Sequence, residues 1–355
     1  MAPLISVGSP EGGRLKAAFV IGPCPEGKCG VGDYTRLLAT ALEHNGVNTE
    51  ILECPGRSAF RAFRLRAAIK RFRPDITHIQ YPTAGFGKGL TPQLLSMLTP
   101  SVLTVHEMEG THLLRRLSFY PLWLRTRHVI FTCESNRQYA LRWAPWLREM
   151  SSVVPLPSNI PARPHGGNAH PTAEVVHFGL VRPDKGIEDV LELARLAFEG
   201  HLPVTFRVVG SSPAQHATYL SGVQRASVAL PVIWDLDLSA EAVADRLAQA
   251  TVAYMPFPDG ASERRASLLA TLANGLPVIT TKGRFTPPGL EGAVWFCSSP
   301  REALAAAQAL LEAPVLREKL AARGRQYAEK FSWESIAQSH ITIYEQLLAT
   351  HANRD

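Results

Sequence analysis

The sequence predicts an α/β protein built from two doubly wound domains in tandem, each a parallel sheet covered by helices. The chain has 355 residues, which at about 150 residues per domain corresponds to two domains. Short β-branched runs alternate with helical patterns along its length, as is typical of parallel sheets covered by helices. A stretch rich in Pro, Gly and Asn, residues 157–171, interrupts this alternation and indicates a linker.

The composition excludes several other classes of protein. Hydrophobic residues make up 46% of the chain and charged residues 19%, which suffices for sizeable cores and excludes a disordered chain. No apolar run approaches the roughly 18–20 residues that a membrane span requires, and the first residues resemble a strand rather than a signal peptide. The five cysteines are scattered without a CxxC pair, so we expect neither a disulfide framework nor structural zinc. We therefore expect a cytoplasmic protein.

The first half of the chain contains six predicted strands, each a short β-branched run bounded by turn residues. They lie at 15–21, 49–53, 76–80, 102–106, 129–133 and 153–155. Apolar residues at helical spacing predict the intervening helices. These helices lie at 33–44, 59–72, 91–98 and 135–143.

The alternation restarts after the linker with six more predicted strands. They lie at 174–180, 204–209, 231–234, 251–255, 277–281 and 294–297. Helices are predicted at 187–198, 241–250, 265–274, 301–311 and 314–350, the last with a break near 331–332. Open α/β sheets bind ligands at the carboxyl ends of their strands, so we expect the two domains to face each other across a cleft that holds the active site.

The positive charge is concentrated in the first half. Residues 1–162 hold 19 Lys and Arg against 11 Asp and Glu, a net +8, whereas the remainder holds 18 against 20, a net −2. The segment 57–73 carries seven basic residues and no acid. Its core-facing helical positions are Ala62, Leu65, Ile69 and Phe72. The basic side of this helix could lie on anionic lipid headgroups. Alternatively, it could be a solvated face in which Phe60 and Phe63 are partly buried. Nucleic acid is a weaker third possibility, since no recognition motif accompanies the charge.

A glycine-rich turn, residues 22–34, separates the first predicted strand from its helix. Gly30 and Gly32 would let the backbone approach a ligand closely, and Asp33 is suited to be the N-cap of the helix. The turn matches neither a GxGxxG fingerprint nor a Walker loop. A tight turn without a ligand is the alternative interpretation.

His106 lies at the carboxyl end of the fourth predicted strand, in Val105-His106-Glu107. An imidazole there can donate to a substrate hydroxyl or support developing charge. A structural histidine is the alternative. His78, on the preceding strand, is expected in the core.

Arg182 and Lys185 follow a strand in the run FGLVRPDKG, and a helix begins at Gly186. Two cations beside a helix N-terminus can hold a diphosphate through charge-assisted hydrogen bonds and the helix dipole. The alternative is a solvated loop.

A second cationic helix start lies in PFPDGASERRASLLATLANGLP. Ser262 and Glu263 can cap this helix, Arg264 and Arg265 would occupy its first turn, and Ser267 follows. Positive charge is normally unfavourable in a first turn, so the pattern suggests that an anion binds there. The alternative is that both arginines point outward.

The pair Asp235 and Asp237 resembles a metal-binding DxD motif. It follows a strand without any other cluster of ligands. We interpret it as a polar loop and expect no metal.

Taken together, these segments resemble family 4 of the retaining glycosyltransferases, which have the GT-B fold of two Rossmann-like domains. The resemblance covers nearly the whole chain and depends on the order and spacing of five segments. These are GVGDYTRLLATAL, VLTVHE, FGLVRPDKGIEDVLEL, PFPDGASERRASLLATLANGLPVITT and FSWESIAQSHITIYEQLL. The last resembles the family's closing helix, which implies domains at 1–160 and 161–331 and a helix, 332–355, that crosses back to the first domain.

The sequence departs from the family pattern at three positions. The family commonly carries two glutamates on its donor-binding helix, and the matching positions are Ser262 and Ala270, with Glu263 one residue from the first. The second glutamate usually accepts the ribose hydroxyls, which alanine cannot do. Leu180 occupies the place of an arginine that Arg182 could replace.

The resemblance implies a metal-independent retaining glycosyltransferase, with no cofactor beyond its nucleotide-diphosphate sugar substrate. The first domain would bind the acceptor and the second the donor. His106 would orient or stabilise the sugar, Arg182 and Lys185 would neutralise the leaving diphosphate, and Gly30 and Gly32 would let the first loop close over it. The donor-binding residues would be Gly30, Gly32, Ser262, Glu263, Arg264, Arg265 and Ser267.

The acceptor we expect is a lipid-linked or polysaccharide glycan, reached at the inner face of a membrane through residues 57–73, with no nucleic acid partner. Two alternatives stay open. A non-catalytic relative, such as a sugar-nucleotide sensor or the inactive partner of an enzyme pair, is favoured by the departures at Ser262 and Ala270. A sugar-nucleotide epimerase of the same fold is the other.

Overall fold

The computed structural model describes residues 14–23, 29–53, 60–87, 89–108, 113–163 and 173–352. The chain divides into two compact units. The first comprises Met1–Pro155 and Trp333–Asp355, and the second comprises Leu156–Ser332. The sequence-based boundaries are 160/161 and 331/332.

A six-stranded parallel sheet forms the centre of the first unit, with the strand order β2-β1-β3-β4-β5-β6. Its strands are β1 (Lys16–Ile21), β2 (Asn48–Glu53), β3 (Ile76–Tyr81), β4 (Ser101–Val105), β5 (Thr126–Phe131) and β6 (Ser151–Val153). Strand β3 is buried along its whole length, as expected for a sheet covered on both faces.

Helices cover this sheet. They are α1 (Gly30–His44), α2 (Phe60–Phe72), α3 (Thr91–Leu98), α4 (Leu113–Leu117), α5 (Tyr120–Trp123), α6 (Glu134–Leu141) and the C-terminal α13 (Trp333–Ala352). Helix α13 packs on α1 and is fixed to the sheet by a buried hydrogen bond of 2.6 Å between Tyr344 Oη and His78 Nδ1. The second ring nitrogen of His78 lies 2.7 Å from Thr104 Oγ1, which confirms the expected core position of His78.

The second unit repeats this architecture, with the strand order β12-β11-β10-β7-β8-β9 and parallel pairing throughout. Its strands are β7 (Ala173–Leu180), β8 (Val204–Ser211), β9 (Val232–Leu236), β10 (Val252–Met255), β11 (Val278–Thr281) and β12 (Trp295–Cys297). Its helices are α7 (Ile187–Glu199), α8 (Ala217–Ala226), α9 (Ala240–Gln249), α10 (Ala266–Ala273), α11 (Pro300–Glu312) and α12 (Pro314–Glu329).

The predicted fold class, two doubly wound α/β domains, is confirmed, and all twelve predicted strands are present. Helix α1 begins three residues earlier than predicted, because the amide of Asp33 already bonds the carbonyl of Cys29 at 3.0 Å. Asp33 is therefore in the first turn and not the N-cap. Three helices are additional to the prediction, α4, α5 and α8. The first two are only five and four residues long, too short for a helical period to register.

Each sheet has a point at which the strand order reverses, between β1 and β3 in the first and between β7 and β10 in the second. The loops that follow the two strands at such a point run in opposite directions and leave a crevice at the carboxyl ends. In the second unit, β7 and α10 pack together beside this crevice.

Cys133 and Cys297 carry free thiols. Among the helices of the described residues, none has the length and apolar character needed to span a bilayer.

Candidate functional site

A pocket of about 420 Å³ opens at the reversal point of the second sheet. Its walls come from the last residues of β7 and β8, the loops after β9 and β10, and the start of α10. The lining consists of Ile160, His177, Phe178, Gly179, Leu180, Lys185, Gly210, Ser211, Asp237, Leu238, Ala240, Val243, Phe257, Arg264, Arg265, Ala266 and Ser267. The pocket thus lies where parallel α/β sheets bind their ligands.

Lys185 reaches the pocket because of the conformation of the loop between β7 and α7. Gly186, the N-cap of α7, has a φ of +77°, and a Cβ added there would lie 1.8 Å from the carbonyl oxygen of Pro256. Glycine therefore lets this loop pack against the chain that leaves β10. Asp184 also has a positive φ of 64°, which an aspartate tolerates.

Cations dominate the charged lining of the pocket, where Lys185, Arg264 and Arg265 face one acid, Asp237. Burial lowers the pKa of Lys185, and the nearby charges of Arg265 and Arg182 lower it further, while Asp259 and Asp184 oppose the shift. The structure thus places Lys185 within electrostatic range of the predicted cations Arg182 and Arg265, although Arg182 does not line the pocket. Such a cluster is unfavourable by itself and is relieved by a bound anion.

Arg264 and Arg265 precede helix α10 rather than occupying its first turn, which corrects the sequence-based prediction. The amide of Arg265 bonds the carbonyl of Ser262 at 3.0 Å, and this turn delays the helix to Ala266. Arg265 pairs with Asp259, and its guanidinium lies 4.9 Å from the centre of the Phe257 ring. The side chain is held at the pocket by this stacking.

The N-terminus of α10 offers backbone donors beside these cations. The first amide in the helical pattern is that of Leu269, which bonds the carbonyl of Arg265 at 3.0 Å. The amides of Ala266, Ser267 and Leu268 precede it, and helix starts of this kind bind phosphate. Ala266 and Ser267 both line the pocket.

Ser262 and Glu263 do not line the pocket, so the structure does not bring these two predicted donor-binding residues to it. Neither caps α10, whose N-cap is Arg265 without a side-chain hydrogen bond. The carboxylate of Glu263 instead accepts hydrogen bonds from Tyr327 Oη at 3.0 Å and from Lys330 Nζ at 3.4 Å. Its role is to fix the end of α12 to the loop before α10. Ala270 is fully buried in the core.

His177 is a pocket residue that the sequence analysis does not single out. It lies on β7, is 2% exposed and lines the pocket beside Gly179. Its Nδ1 lies 3.1 Å from the carbonyl oxygen of Tyr254. A histidine inside a predicted strand resembles any core residue, and its position three residues before the strand's end was the available signal.

His106 lies directly after β4 in the first unit, as predicted. Its Nε2 donates to Gln80 Oε1 at 2.7 Å, and its ring packs edge-on against Tyr34 with centroids 5.2 Å apart. Burial, with a smaller effect of His340, lowers the pKa of His106 to about 3. The ring is therefore neutral at neutral pH and presents Nδ1 as an acceptor.

Gly30 and Gly32 lie in the first turn of α1, not in a loop before it. Gly30 is exposed and nothing lies within 4 Å of a Cβ added there, whereas Gly32 is buried. The preceding residues of the glycine-rich turn, 24–28, lie outside the described residues.

Asp235 belongs to strand β9 rather than to a polar loop. Its carboxylate is held by Arg207 and Arg246, each at 2.7 Å. Asp237 follows the strand, with a φ of 56°, and lines the pocket. Within the described part of the chain, no three His, Cys, Asp or Glu side chains are grouped so as to hold a metal.

Helix α2 carries the described part of the basic segment 57–73. As predicted, Ala62, Leu65 and Ile69 are buried. The opposite side exposes Phe63, at 59%, together with basic residues. These basic residues are Arg64, Lys70 and Arg71, and the exposed Arg73 directly follows the helix. Residues 57–59 lie outside the described residues.

Comparison with known proteins agrees with this architecture. Residues 39–156 match the model of Glycosyltransferase Family 4. No curated protein matches the chain.

Several solved structures share the fold over almost their whole length. A glycosyltransferase from Rickettsia africae ESF-5 has a TM-score of 0.74 at 14% identity, covering 94% of this chain and 99% of its own. Sucrose-phosphate synthase from Thermosynechococcus elongatus has a TM-score of 0.66 at 17% identity, with coverages of 95% and 100%. Anabaena Alr3699/HepE, solved with UDP and glucose, has a TM-score of 0.63 at 14% identity, with coverages of 96% and 100%.

The fold thus defines a GT-B protein, with a pocket lined by cations in its second unit. The family match over residues 39–156 confirms the resemblance of this chain to the family 4 glycosyltransferases. The solved structures show that it shares their fold.

Proposed function

We propose that the protein is a metal-independent retaining glycosyltransferase that moves a sugar from a nucleotide-diphosphate sugar to a hydroxyl acceptor. The observation that carries this proposal is the pocket of the second unit, in which Lys185, Arg264 and Arg265 surround the start of α10. Cations and helix amides in one crevice match the charge and geometry of a diphosphate. The Anabaena neighbour, whose structure holds UDP and glucose, has the same fold.

In the proposed reaction the bond between the anomeric carbon and the diphosphate oxygen breaks. The acceptor oxygen forms its bond to the same face of that carbon, and its proton passes to the departing diphosphate. Negative charge develops on the diphosphate, where Lys185, Arg182 and the amides of α10 stabilise it. His106 would orient the transferred sugar through its neutral ring. The unit 156–332 would bind the donor and the other unit the acceptor.

The experiment is incubation of the purified protein with a panel of nucleotide sugars, followed by mass spectrometry of the released nucleotide. We expect one nucleotide sugar to be consumed, with loss of consumption in Lys185→Ala. The matched control is Lys282→Ala, because Lys282 is an exposed lysine of the same unit that pairs with Glu291 at 2.8 Å and does not line the pocket. Release by Lys185→Ala at the wild-type rate would contradict the assignment of the diphosphate site.

A non-catalytic sugar-nucleotide-binding protein is the second candidate. It is favoured by the burial of Ala270 in the core and by the engagement of Glu263 with Tyr327 and Lys330, since neither residue offers the pocket a carboxylate. Tight nucleotide binding without hydrolysis or transfer to any acceptor would support this candidate over the enzyme.

We further propose that the acceptor is a lipid-linked or polysaccharide glycan and that α2 rests on an anionic membrane. The surface consists of Phe63, Arg64, Lys70 and Arg71, which we call the basic face of α2. An exposed aromatic ring among cations fits a headgroup region, where the ring enters the interface and the cations attract anionic lipids.

A further inference from the structure

His177 has a fixed hydrogen-bonding state. A carbonyl oxygen can only accept, so the contact of 3.1 Å with Tyr254 O requires the proton to be on His177 Nδ1. Burial lowers the pKa of the ring to about 4, although the bond to Tyr254 partly opposes this shift. At neutral pH the ring is therefore neutral, and its Nε2 is an acceptor.

This acceptor has no hydrogen-bond partner among the residues that the structure describes. Buried polar atoms are nearly always paired, and an unpaired one calls for an explanation. Nε2 belongs to a side chain that lines the pocket. A methyl group added at Gly179 would lie 3.5 Å from His177 Nε2 and 4.0 Å from Ser267 Oγ. The absence of a side chain at Gly179 thus leaves room between the imidazole and the serine.

The chemistry of Nε2 selects its partner. An ionised diphosphate presents only acceptors, so it suits Lys185 and the arginines but not a neutral imidazole acceptor. The remaining polar groups of a nucleotide sugar include hydroxyls, which can donate. The adjacent Ser267 hydroxyl can donate or accept, so the two side chains together match a hydroxyl, which does both.

We propose that His177 Nε2 accepts a hydrogen bond from a hydroxyl group of the bound nucleotide sugar, in the space in front of Gly179. This makes His177 a binding and specificity residue of the pocket. The proposal rests on the proposed function. The hydroxyl could belong to the ribose or to the transferred sugar, and the experiment distinguishes the two.

The test is a thermodynamic cycle that combines changes in the ligand with changes in the protein. A panel of nucleoside diphosphates first identifies the base that binds wild type. Calorimetry then compares this ribonucleotide with its 2′-deoxy and 3′-deoxy analogues, and its nucleotide sugar with a deoxy-sugar analogue. We expect one missing hydroxyl to weaken binding to wild type about 2- to 13-fold.

Loss of the same hydroxyl should not change the affinity of His177→Phe for the ligand, because this variant lacks the acceptor. His177→Gln, which can place an amide oxygen near the position of Nε2, should restore part of the discrimination. Gly179→Ala gives a second test, because its methyl group would fill the space for the hydroxyl. This variant keeps His177 and therefore leaves its bond to Tyr254 intact. The substitution should weaken binding of the hydroxylated ligand and leave binding of the deoxy ligand unchanged.

The outcomes are distinct. Coupling to a ribose hydroxyl or to a sugar hydroxyl supports the proposal and identifies its source. Equal discrimination in wild type, in His177→Phe and in Gly179→Ala, all folded by circular dichroism, overturns it while leaving the proposed function standing. Failure of every nucleoside diphosphate and nucleotide sugar to bind wild type overturns the proposed function itself.

Discussion

Two buried histidines, one in each unit, lie on inner strands of the parallel sheets but have different surroundings. In the first unit, both ring nitrogens of His78 are used within the protein, by Tyr344 and Thr104. In the second, His177 uses one nitrogen for Tyr254 and leaves the other without a described partner in a pocket lined by cations. The first histidine thus has both ring nitrogens paired within the protein, whereas the second has a buried acceptor without a described partner.

The largest expected effect concerns acid stability, which should differ between the units. Burial keeps the pKa of His106 at about 3 and that of His128 and His340 at about 4, and it holds the pKa of His78 well below its usual value. The unfolded chain binds protons at these rings below pH about 6.5, but the folded chain does not, so the free energy of unfolding falls as the pH drops from 6.5 toward 4. Each ring contributes about 1.4 kcal/mol per pH unit within this window.

Because all four of these rings belong to the first unit and His177 belongs to the second, the first unit should lose protection faster. Hydrogen exchange with mass spectrometry at pH 7 and pH 5, corrected for intrinsic exchange rates, measures both units in one sample. The control is His201→Gln, which changes an exposed histidine of the second unit. It should not alter how much protection either unit loses between pH 7 and pH 5. Equal loss of protection in the two units would show that the buried histidines do not control acid stability.

The second prediction concerns nucleotide binding by the cationic pocket, which distinguishes the second unit from the first. Lys185→Ala removes one charge-assisted contact, typically worth about 1.5–3 kcal/mol, and should weaken nucleoside diphosphate binding about 10- to 150-fold. Calorimetric titration of wild type, Lys185→Ala and the control Lys282→Ala measures this. If the two variants bind equally well, the pocket does not hold the diphosphate through Lys185.

Alanine substitutions at two glycines test how the starts of α7 and α1 differ in their tolerance of a side chain. Gly186→Ala should lower the free energy of unfolding by about 1–3 kcal/mol, because its φ is +77° and its Cβ would overlap the carbonyl of Pro256. Gly30→Ala should be neutral or stabilising by up to about 1 kcal/mol, because the site is open and lies in a helix.

Chemical denaturation of both variants provides the measurement. A loss of nucleotide consumption in Gly30→Ala, at unchanged stability, would instead support the predicted close approach of this backbone to a ligand. A Gly186→Ala protein as stable as wild type would show that the loop carrying Lys185 can move away from Pro256.

The smallest expected effect is membrane binding by the basic face of α2. Cosedimentation with vesicles containing phosphatidylserine should decrease as salt increases. Each of the substitutions Arg64→Gln, Lys70→Gln and Arg71→Gln should weaken the free energy of binding by about 1 kcal/mol. The control combines Lys319→Gln and Arg323→Gln, on the exposed side of α12. Equal binding to neutral phosphatidylcholine vesicles would eliminate this electrostatic interpretation.

The fold could be predicted because parallel strands buried on both faces give short β-branched runs that differ clearly from helical patterns. The proximity of Lys185 to Arg182 and Arg265 could be predicted because these residues follow a strand or precede a helix, where sequence position fixes spatial position. Glu263 could not, since its contact with Tyr327 depends on a turn and on a helix 64 residues away. His177 was not predicted either, because a lone histidine in a strand resembles a core residue and only its position near the end of β7 indicated otherwise.

A crystal structure with a bound nucleoside diphosphate tests the central claim most directly. We expect phosphate oxygens within hydrogen-bond distance of Lys185 Nζ and of the amides of Ala266 and Ser267, in the pocket at the end of β7. A nucleotide bound elsewhere on the protein, with Lys185 and the start of α10 making no contact with it, would contradict the claim.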